Sequence, residues 1–479
     1  MLLVAIVVTP LLFALGSQFF LNRRTRPILL PLAAFLHLGM VLPTLSGPTR
    51  QAGDYLALDP LGRLVLLVVS LLFAATSIYA LGYFKQHYPW RNKAFILCLL
   101  IFLSANSLAT MTRHLGLLWV AVEATTLVSA PLIYHNRNRF SIEATWKYLI
   151  LCSIGIALAL LGIFFIAYAG LLGAGSSELQ FDRILAAAPA YSKPWLRVGF
   201  IFLLVGFGSK MGLAPLHSWK PDAYGEAPGM VGGLLAGGLT SVAFLGVMRA
   251  MQIMAAAGQL ELARQALLGL GVVSLVVAAL FVIRQRDVKR LLAYSSVEHM
   301  GLLAIGISIG GAAGFGAMYH LLNNALAKGV LFMTAGNLHR YYGSKRACEI
   351  QGSISFLPWS SGLLLAGFLA VTGSPPFAPF LSEFTMLRGI FHAGHYWLGG
   401  GVLVLLASIF VGIGATILQV TMGPAMAERP PDSEQFQDTL LTVASPLFLM
   451  LALLVLGLWL PEPLRRLFSE AAILLEARS

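Results

Sequence analysis

Five ionisable residues stand inside stretches that otherwise hold almost nothing water would bind: Glu123, Lys210, His320, Lys328 and Glu383. Glu123 lies within "GLLWVAVEATTLVSA", and Lys210 ends the aliphatic run that leads into "GSKMGLAPLHSWKPD". A charged side chain at bilayer depth costs roughly 2.5–3.5 kcal/mol on insertion scales, so such residues face a bundle interior or water and mark ion or proton paths. A buried lysine is disfavoured in its charged form and a nearby carboxylate restores it, so a Glu123–Lys210 pair would poise each partner for proton transfer. In "MYHLLNNALAKGVLF", His320, Asn324 and Lys328 recur at i, i+4 and i+8, one face of a helix, as a hydrated relay requires. Glu383, beside Ser382 in "FLSEFTML", is a carboxylate that could receive a proton from that relay.

Other polar residues admit plainer readings. His217 and Lys220 fall at the end of the same apolar run as Lys210, where Lys220 reads as a side chain snorkelling to the inner surface. Glu143 and Lys147 are one turn apart and form a local ion pair. Glu298 and His299 suit a proton-uptake site, and helix capping with surface exposure explains them equally well. Cys98, Cys152 and Cys348 are far apart, without metal or disulfide spacing, and read as buried small hydrophobes. No metal site is expected. HExxH, GxSxG, P-loop and GxGxxG motifs are all missing, so a self-contained hydrolase, NTPase or dinucleotide enzyme has no support.

The elements that must position these residues follow from composition. Of 479 residues, 58% are hydrophobic and only 11% charged, against about a quarter charged in soluble domains. The mean hydropathy is +0.81. Runs long enough to cross a bilayer recur along the whole chain, giving an all-α polytopic membrane protein of about 14 transmembrane helices. Among the expected spans are the fifth over 115–134, the seventh over 196–217, the eleventh over 314–337 and the twelfth over 355–393. The first run, 2–21, reads as a retained helix. The formal charge of +12 is concentrated in alternate short connections, such as "NRRTR", "KQHYPWRNK", "RQRDVKR" and "HRYYGSKR". Basic loops of that kind stay inside, so both termini face outward and nucleic acid is not implied.

Two spans carry breakers at membrane depth. Gly212 and Pro215 interrupt the seventh; Gly373, Pro375 and Pro376, with Pro379 beyond, interrupt the twelfth. Irregular backbone survives there only where protein buries it or it lines a wet cavity. Breaks five spans apart fit two inverted five-helix repeats, spans 4–8 and 9–13. The expected organisation is 1–93 for helices 1–3, 94–251 and 265–420 for the repeats, and 421–479 for helix 14 and a tail.

"LLWVAVEATTL", "GSKMGLAPLHSWKPDAYGEAP", "DVKRLLAYSSVEHMG" and "NNALAKGVLFMTAGN" resemble the signature stretches of antiporter-like membrane subunits. Such subunits occur in respiratory complex I, group 4 membrane-bound nickel–iron hydrogenases and Mrp-type cation/proton antiporters. The wording is most similar to the hydrogenase-4 (formate hydrogenlyase) F-type subunit. The resemblance covers nearly the whole chain and implies broken helices 7 and 12, a Lys210–Glu123 pair and a hydrated axis parallel to the membrane. It also matches Lys328 and His320 on helix 11 and Glu383 on helix 12, with Asn324 where many relatives have histidine. On helix 8, Ser241 beside Thr240 stands where lysine or histidine is frequent, so the central link falls to hydroxyls and water.

The function implied is proton translocation along buried Glu, Lys and His residues of a prokaryotic cytoplasmic-membrane protein. Redox chemistry would reside in partner subunits: other membrane subunits and a peripheral arm with iron–sulfur clusters and a nickel–iron or quinone site. Two other functions remain open: an Mrp-type Na⁺/H⁺ antiporter subunit, and a membrane anchor or ion-coupling subunit of an inorganic-carbon uptake system.

Overall fold

The computed structural model describes residues 1–19, 22, 25–47, 49–86, 92–424 and 436–474. Arg23, Arg24, residues 87–91 and residues 425–435, which fall in connections expected inside, lie outside the described residues. Twelve helices are long and apolar enough to cross a membrane. We label the chain α1 (Leu2–Phe19), α2 (Leu29–Val41), α3 (Pro60–Gln86), α4 (Asn92–Met111), α5 (Leu115–Ile133) and α6 (Arg139–Ala174). The seventh span is split into α7a (Lys193–Met211) and α7b (Trp219–Glu226). There follow α8 (Gly229–Ala256), α9 (Leu260–Val282), α10 (Val288–Ile309) and α11 (Gly311–Tyr342). The twelfth is split into α12a (Pro358–Val371) and α12b (Ala378–His392); α13 (Tyr396–Met422), α14 (Leu440–Leu458) and α15 (Glu462–Ile473) complete the chain.

The two segments beyond the twelve depart from a plain span for physical reasons. Helix α11 is continuous through 32 residues but carries His320, Asn323, Asn324 and Lys328, all buried, on an otherwise apolar rod. The α12 pair is interrupted where expected. At both breaks a glycine takes left-handed backbone, Gly212 at φ +78° and Gly373 at φ +67°, which only a residue without Cβ adopts freely. Each then runs into a cis peptide, Ala214–Pro215 and Pro375–Pro376.

Close helix contacts are made by small residues, the usual device where lipid offers no hydrophobic drive. Gly162 on α6 and Gly199 on α7a each leave no room for a side chain, because a Cβ on either would lie within 3.0 Å of the other's carbonyl oxygen. Gly271 on α9 and Gly301 on α10 meet in the same way. Apolar residues face outward elsewhere, for example Trp146, Ile150 and Ile154 along α6. A two-stranded hairpin, Arg50–Ala52 against Leu56–Leu58, precedes α3. The twelve-residue amphipathic α15 folds back onto α3 and α11. Cys152 is buried and Cys98 half-buried, but Cys348 is exposed, because it sits in a surface turn after α11 rather than in a span.

One ion pair ties the first helices to α8. Arg249, near the end of α8 and 8% exposed, donates to both carboxylate oxygens of Asp59 at 2.5 and 2.8 Å. Burial on its own would raise the Asp59 pKa; the Arg249 charge and the bonds from Arg249 and the Gly62 amide outweigh it and hold the carboxyl below its usual value. A depressed folded pKa means the pair stabilises above the unfolded value of about 3.9 and is lost as pH falls through the folded one. Asp59→Asn is expected to cost about 3 kcal/mol by leaving a buried guanidinium without its counter-ion. Thermal unfolding in detergent at pH 7 checks this, and the deficit should shrink at pH values below the folded pKa.

Candidate functional site

The half-buried carboxylate of Glu123 projects from α5 toward α6. It accepts hydrogen bonds from Ser153 Oγ at 2.8 Å and from Thr126 Oγ1 at 3.1 Å. Lys210, fully buried at the end of α7a, donates from Nζ to the same Thr126 hydroxyl and to Tyr148 OH at 3.2 Å. The expected pair is thus brought together, but by a bridging hydroxyl. No direct Glu123–Lys210 contact within 4.0 Å exists among the described residues. Thr126 has one hydrogen to give Glu123 and a lone pair to take one from Lys210, so its hydroxyl bridges the two ionisable groups. Tyr148 OH in turn shares a 2.6 Å hydrogen bond with Ser129.

A second cluster lies between α10, α11 and the twelfth span. Lys328 Nζ donates to Ser295 Oγ at 2.7 Å, and Ser295 donates to Glu298 Oε2 at 3.2 Å. His299 Nε2 lies 4.0 Å from that same Glu298 oxygen. The other ring nitrogen of His299, Nδ1, meets His320 Nε2 at 3.0 Å, and His320 Nδ1 meets Ser382 Oγ at 2.9 Å. Glu383 is buried beside them, with Oε1 lacking a protein partner. His299, His320 and Glu383 bring potential ligating atoms within 4.8 Å of one another. These are donor types a zinc-like ion accepts. Here, however, two of the four ring nitrogens face each other in the geometry of a shared proton. The grouping was not expected from spacing, since its members come from three helices.

Several placements differ from the sequence expectation. Glu298 and His299 are neither capping nor exposed: Asp287 caps α10, and both residues lie fully buried about three turns further along. Lys220 does not snorkel. Its side chain is fully buried, donates to Ser296 Oγ at 3.3 Å, and fills the space that a Cβ on Gly212 would need. Thr240 and Ser241 join no other side chain of either cluster among the described residues. They bond back to Ala236 O at 2.6 Å and Gly237 O at 2.5 Å, within a π turn at Leu235–Leu239 that widens α8 just before them. On α11 it is Asn323, not Asn324, that reaches Ser382, at 3.3 Å; the Asn324 Oδ1 is buried without a protein partner. His217 is half-buried beside Tyr294 and outside both clusters. Glu143 and Lys147 pair at 2.7 Å, and Lys147 also reaches Asp222 at 2.9 Å.

Sequence reasoning missed the hydroxyls Thr126, Tyr148, Ser153 and Ser295, and it missed the buried Lys220. Within "YSSVEHMG" the signal was present: Ser295, Glu298 and His299 span a single helical turn.

Residues 112–412 match the family described as NADH:quinone oxidoreductase/Mrp antiporter, TM. The chain belongs to this family. It is an antiporter-like integral membrane subunit. A hydrogenase-4 component F homolog of Methylacidiphilum infernorum is 30% identical over 88% of this chain and 89% of its own. NADH-quinone oxidoreductase subunit N of Desulforudis audaxviator is 30% identical, over 86% and 82%. A chain of Thermus thermophilus respiratory complex I with bound aureothin superposes with TM-score 0.77 at 27% identity, covering 96% of this chain and 97% of that one. A chain of an archaeal membrane-bound sulfane sulfur reductase superposes at 0.88 with 21% identity, covering 99% and 97%, a likeness of fold.

The bridging role of Thr126 is testable in this antiporter-like subunit. Thr126→Val removes the hydroxyl between Lys210 and Glu123 with little change of shape. Proton uptake by membrane vesicles should fall about tenfold, the equivalent of one hydrogen bond of about 1.4 kcal/mol, and Thr126→Ser should restore it.

Proposed function

We propose that this chain translocates protons as one membrane subunit of a multisubunit redox complex. The reading rests on one observation: titratable groups inside the bundle gather in two clusters, Glu123 and Lys210 bridged by the Thr126 hydroxyl, and Lys328, Glu298, His299 and His320 set in a row with Ser295 and Ser382, with Glu383 buried beside it. A hydroxyl accepts a proton on its lone pair and releases its own, so such rows carry protons without moving heavy atoms far. Relatives named as components of hydrogenase-4 and of NADH-quinone oxidoreductase support placement in a redox complex. In that setting the iron–sulfur clusters and the nickel–iron or quinone site belong to partner subunits. Glu123 is only half-buried, so charge on a neighbouring subunit would act on it. Loss of the Glu123 charge would weaken the hold on an ammonium at Lys210 and release its proton along the row.

The same proposal orients the chain. Fourteen crossings put both termini outside, with α4–α8 and α9–α13 as inverted repeats between helices 1–3 (1–93) and the tail (421–479). The paired breaks and their left-handed glycines support that division.

Lys210→Met tests the function. In membrane vesicles bearing the assembled complex, redox-driven proton uptake should fall about 100-fold, the scale of a lost acid–base group. Unchanged uptake would sink the reading. Glu383→Gln should impair uptake while leaving assembly intact. Sodium-dependent dissipation of a pH gradient by the isolated protein would favour an Mrp-type antiporter instead.

A further inference from the structure

The two breaks are built alike beyond their prolines. In the second, the Glu383 carboxylate, ten residues after Gly373, occupies the place where a Cβ on that glycine would sit. In the first, the Lys220 side chain, eight residues after Gly212, occupies the same place under its own glycine, with Cδ, Cε and Nζ all against it. Each second half-helix therefore hangs one ionisable side chain back beneath the glycine of its break. Glu383 is already a terminus of the proposed row; Lys220 has had no role.

Its surroundings give it one. Lys220 is fully buried and has no carboxylate within 4.0 Å among the described residues, so nothing neutralises it as a structural ion pair would. Its polar bond is to Ser296 on α10, the neighbour of Ser295, which accepts from Lys328. On its other side, Trp219 next to it packs on Tyr148 at 5.1 Å between ring centres, and Tyr148 accepts from Lys210. The titratable groups facing Lys220 are Cys152 on α6, Lys328 on α11, His299 on α10, His217 in the break just before α7b, and Tyr224 on its own helix, whose ring centre is 6.0 Å from Nζ. Lys220 thus stands between the two clusters, hydrogen-bonded toward the second through Ser296 and set against the first through the packing of Trp219 on Tyr148.

We propose that Lys220 is the central proton carrier of this subunit, the first-half counterpart of Glu383, and that it takes over the link expected of helix 8. In one passage the Lys220 ammonium gives a proton to the Ser296–Ser295 side, breaking one Nζ–H bond as a neutral Lys328 gains one. The neutral Lys220 then gains an Nζ–H bond as the Lys210 ammonium loses one, and returns to its starting state. No electron or other group is required. Thr240 and Ser241 are free to remain bonded to their own helix throughout.

The inference rests on the proton-translocating reading, and parallel variants separate the two. The assembled complex in membrane vesicles is assayed for redox-driven proton uptake from pH 6 to 9 with Lys220→Met, Lys220→Arg and Lys220→His, beside Lys210→Met. Assembly is followed by native electrophoresis. Lys220→Met should lower uptake at least about tenfold with the complex assembled. Arginine keeps the cation but does not release its proton near neutrality, so Lys220→Arg should fail as well. Histidine titrates lower, so Lys220→His should recover part of the uptake with its optimum moved to lower pH. A structural lysine would not move that optimum. Normal uptake in Lys220→Met or Lys220→Arg overturns the assignment while the Lys210→Met loss leaves the wider reading standing. Failure of all three Lys220 variants to assemble assigns Lys220 a structural role and likewise overturns it. Normal uptake in Lys210→Met overturns the wider reading itself.

Discussion

A polar group in hydrocarbon has only the protein to bond to, and the breaks in α7 and α12 are arranged around that constraint. Where α7a ends, the amides of Gly212 and Leu213 return to Gly208 O at 2.8 and 2.9 Å, and the Ala214 amide bonds Ser274 on α9 at 2.8 Å. Trp219, opening the second half, donates its indole N–H to Ser209 O at 3.0 Å. After α12a, Gly373 and Ser374 bond back to Ala370 O and Leu369 O at 3.2 and 2.9 Å. Because these ends are satisfied, the chain can stop being helical inside a membrane without a large penalty, and the space so opened admits Lys220 and Glu383. Proline alone would only have kinked the helix.

That opening matters only because the surrounding helices come close. Small residues at Gly155, Gly162 and Gly206 let α6 and α7a approach until Ser209, Ala159 and Leu203 fill the contact, and this brings Ser153 and Tyr148 within reach of Glu123 and Lys210. On the far side, α10 supplies two adjacent serines, a glutamate and a histidine, and α11 supplies a histidine and a lysine. Neither helix is as apolar as the rods around them. Their polar faces are turned inward, so the bundle holds these ionisable side chains inside an oily exterior.

Much of this was legible in the sequence, for reasons that explain what was not. Glu123, Lys210, His320, Lys328 and Glu383 announce themselves because each is charged or ionisable within an apolar run. The glycine–proline clusters likewise locate both breaks. What linear reading loses is direction. Lys220 follows the last apolar residues before a proline, which is where a lysine usually reaches for the surface; only the turn at Gly212 folds it back inside. Glu298 looks close to a helix start, yet ten residues of rise are about 15 Å, enough to bury it. Ser241 occupies a promising position on α8, but a π turn leaves Ala236 O and Gly237 O for the hydroxyls that follow. The hydroxyl bridge Thr126 carries no sequence signature, since serines and threonines inside helices mostly bond their own backbone, whereas Ser295 was readable only through the Glu298 and His299 one turn beyond it.

Ser295 deserves a last consequence. A hydroxyl owns one hydrogen, and here it is committed to Glu298 while the oxygen receives one from Lys328. After a proton has crossed, the hydroxyl points the wrong way for a successor and must rotate about its C–O bond before it can conduct again. Thr126 stands in the same position between Lys210 and Glu123. If protons cross by the proposed row, each threonine or serine bridge must therefore reset between crossings, and acts as a turnstile rather than a wire.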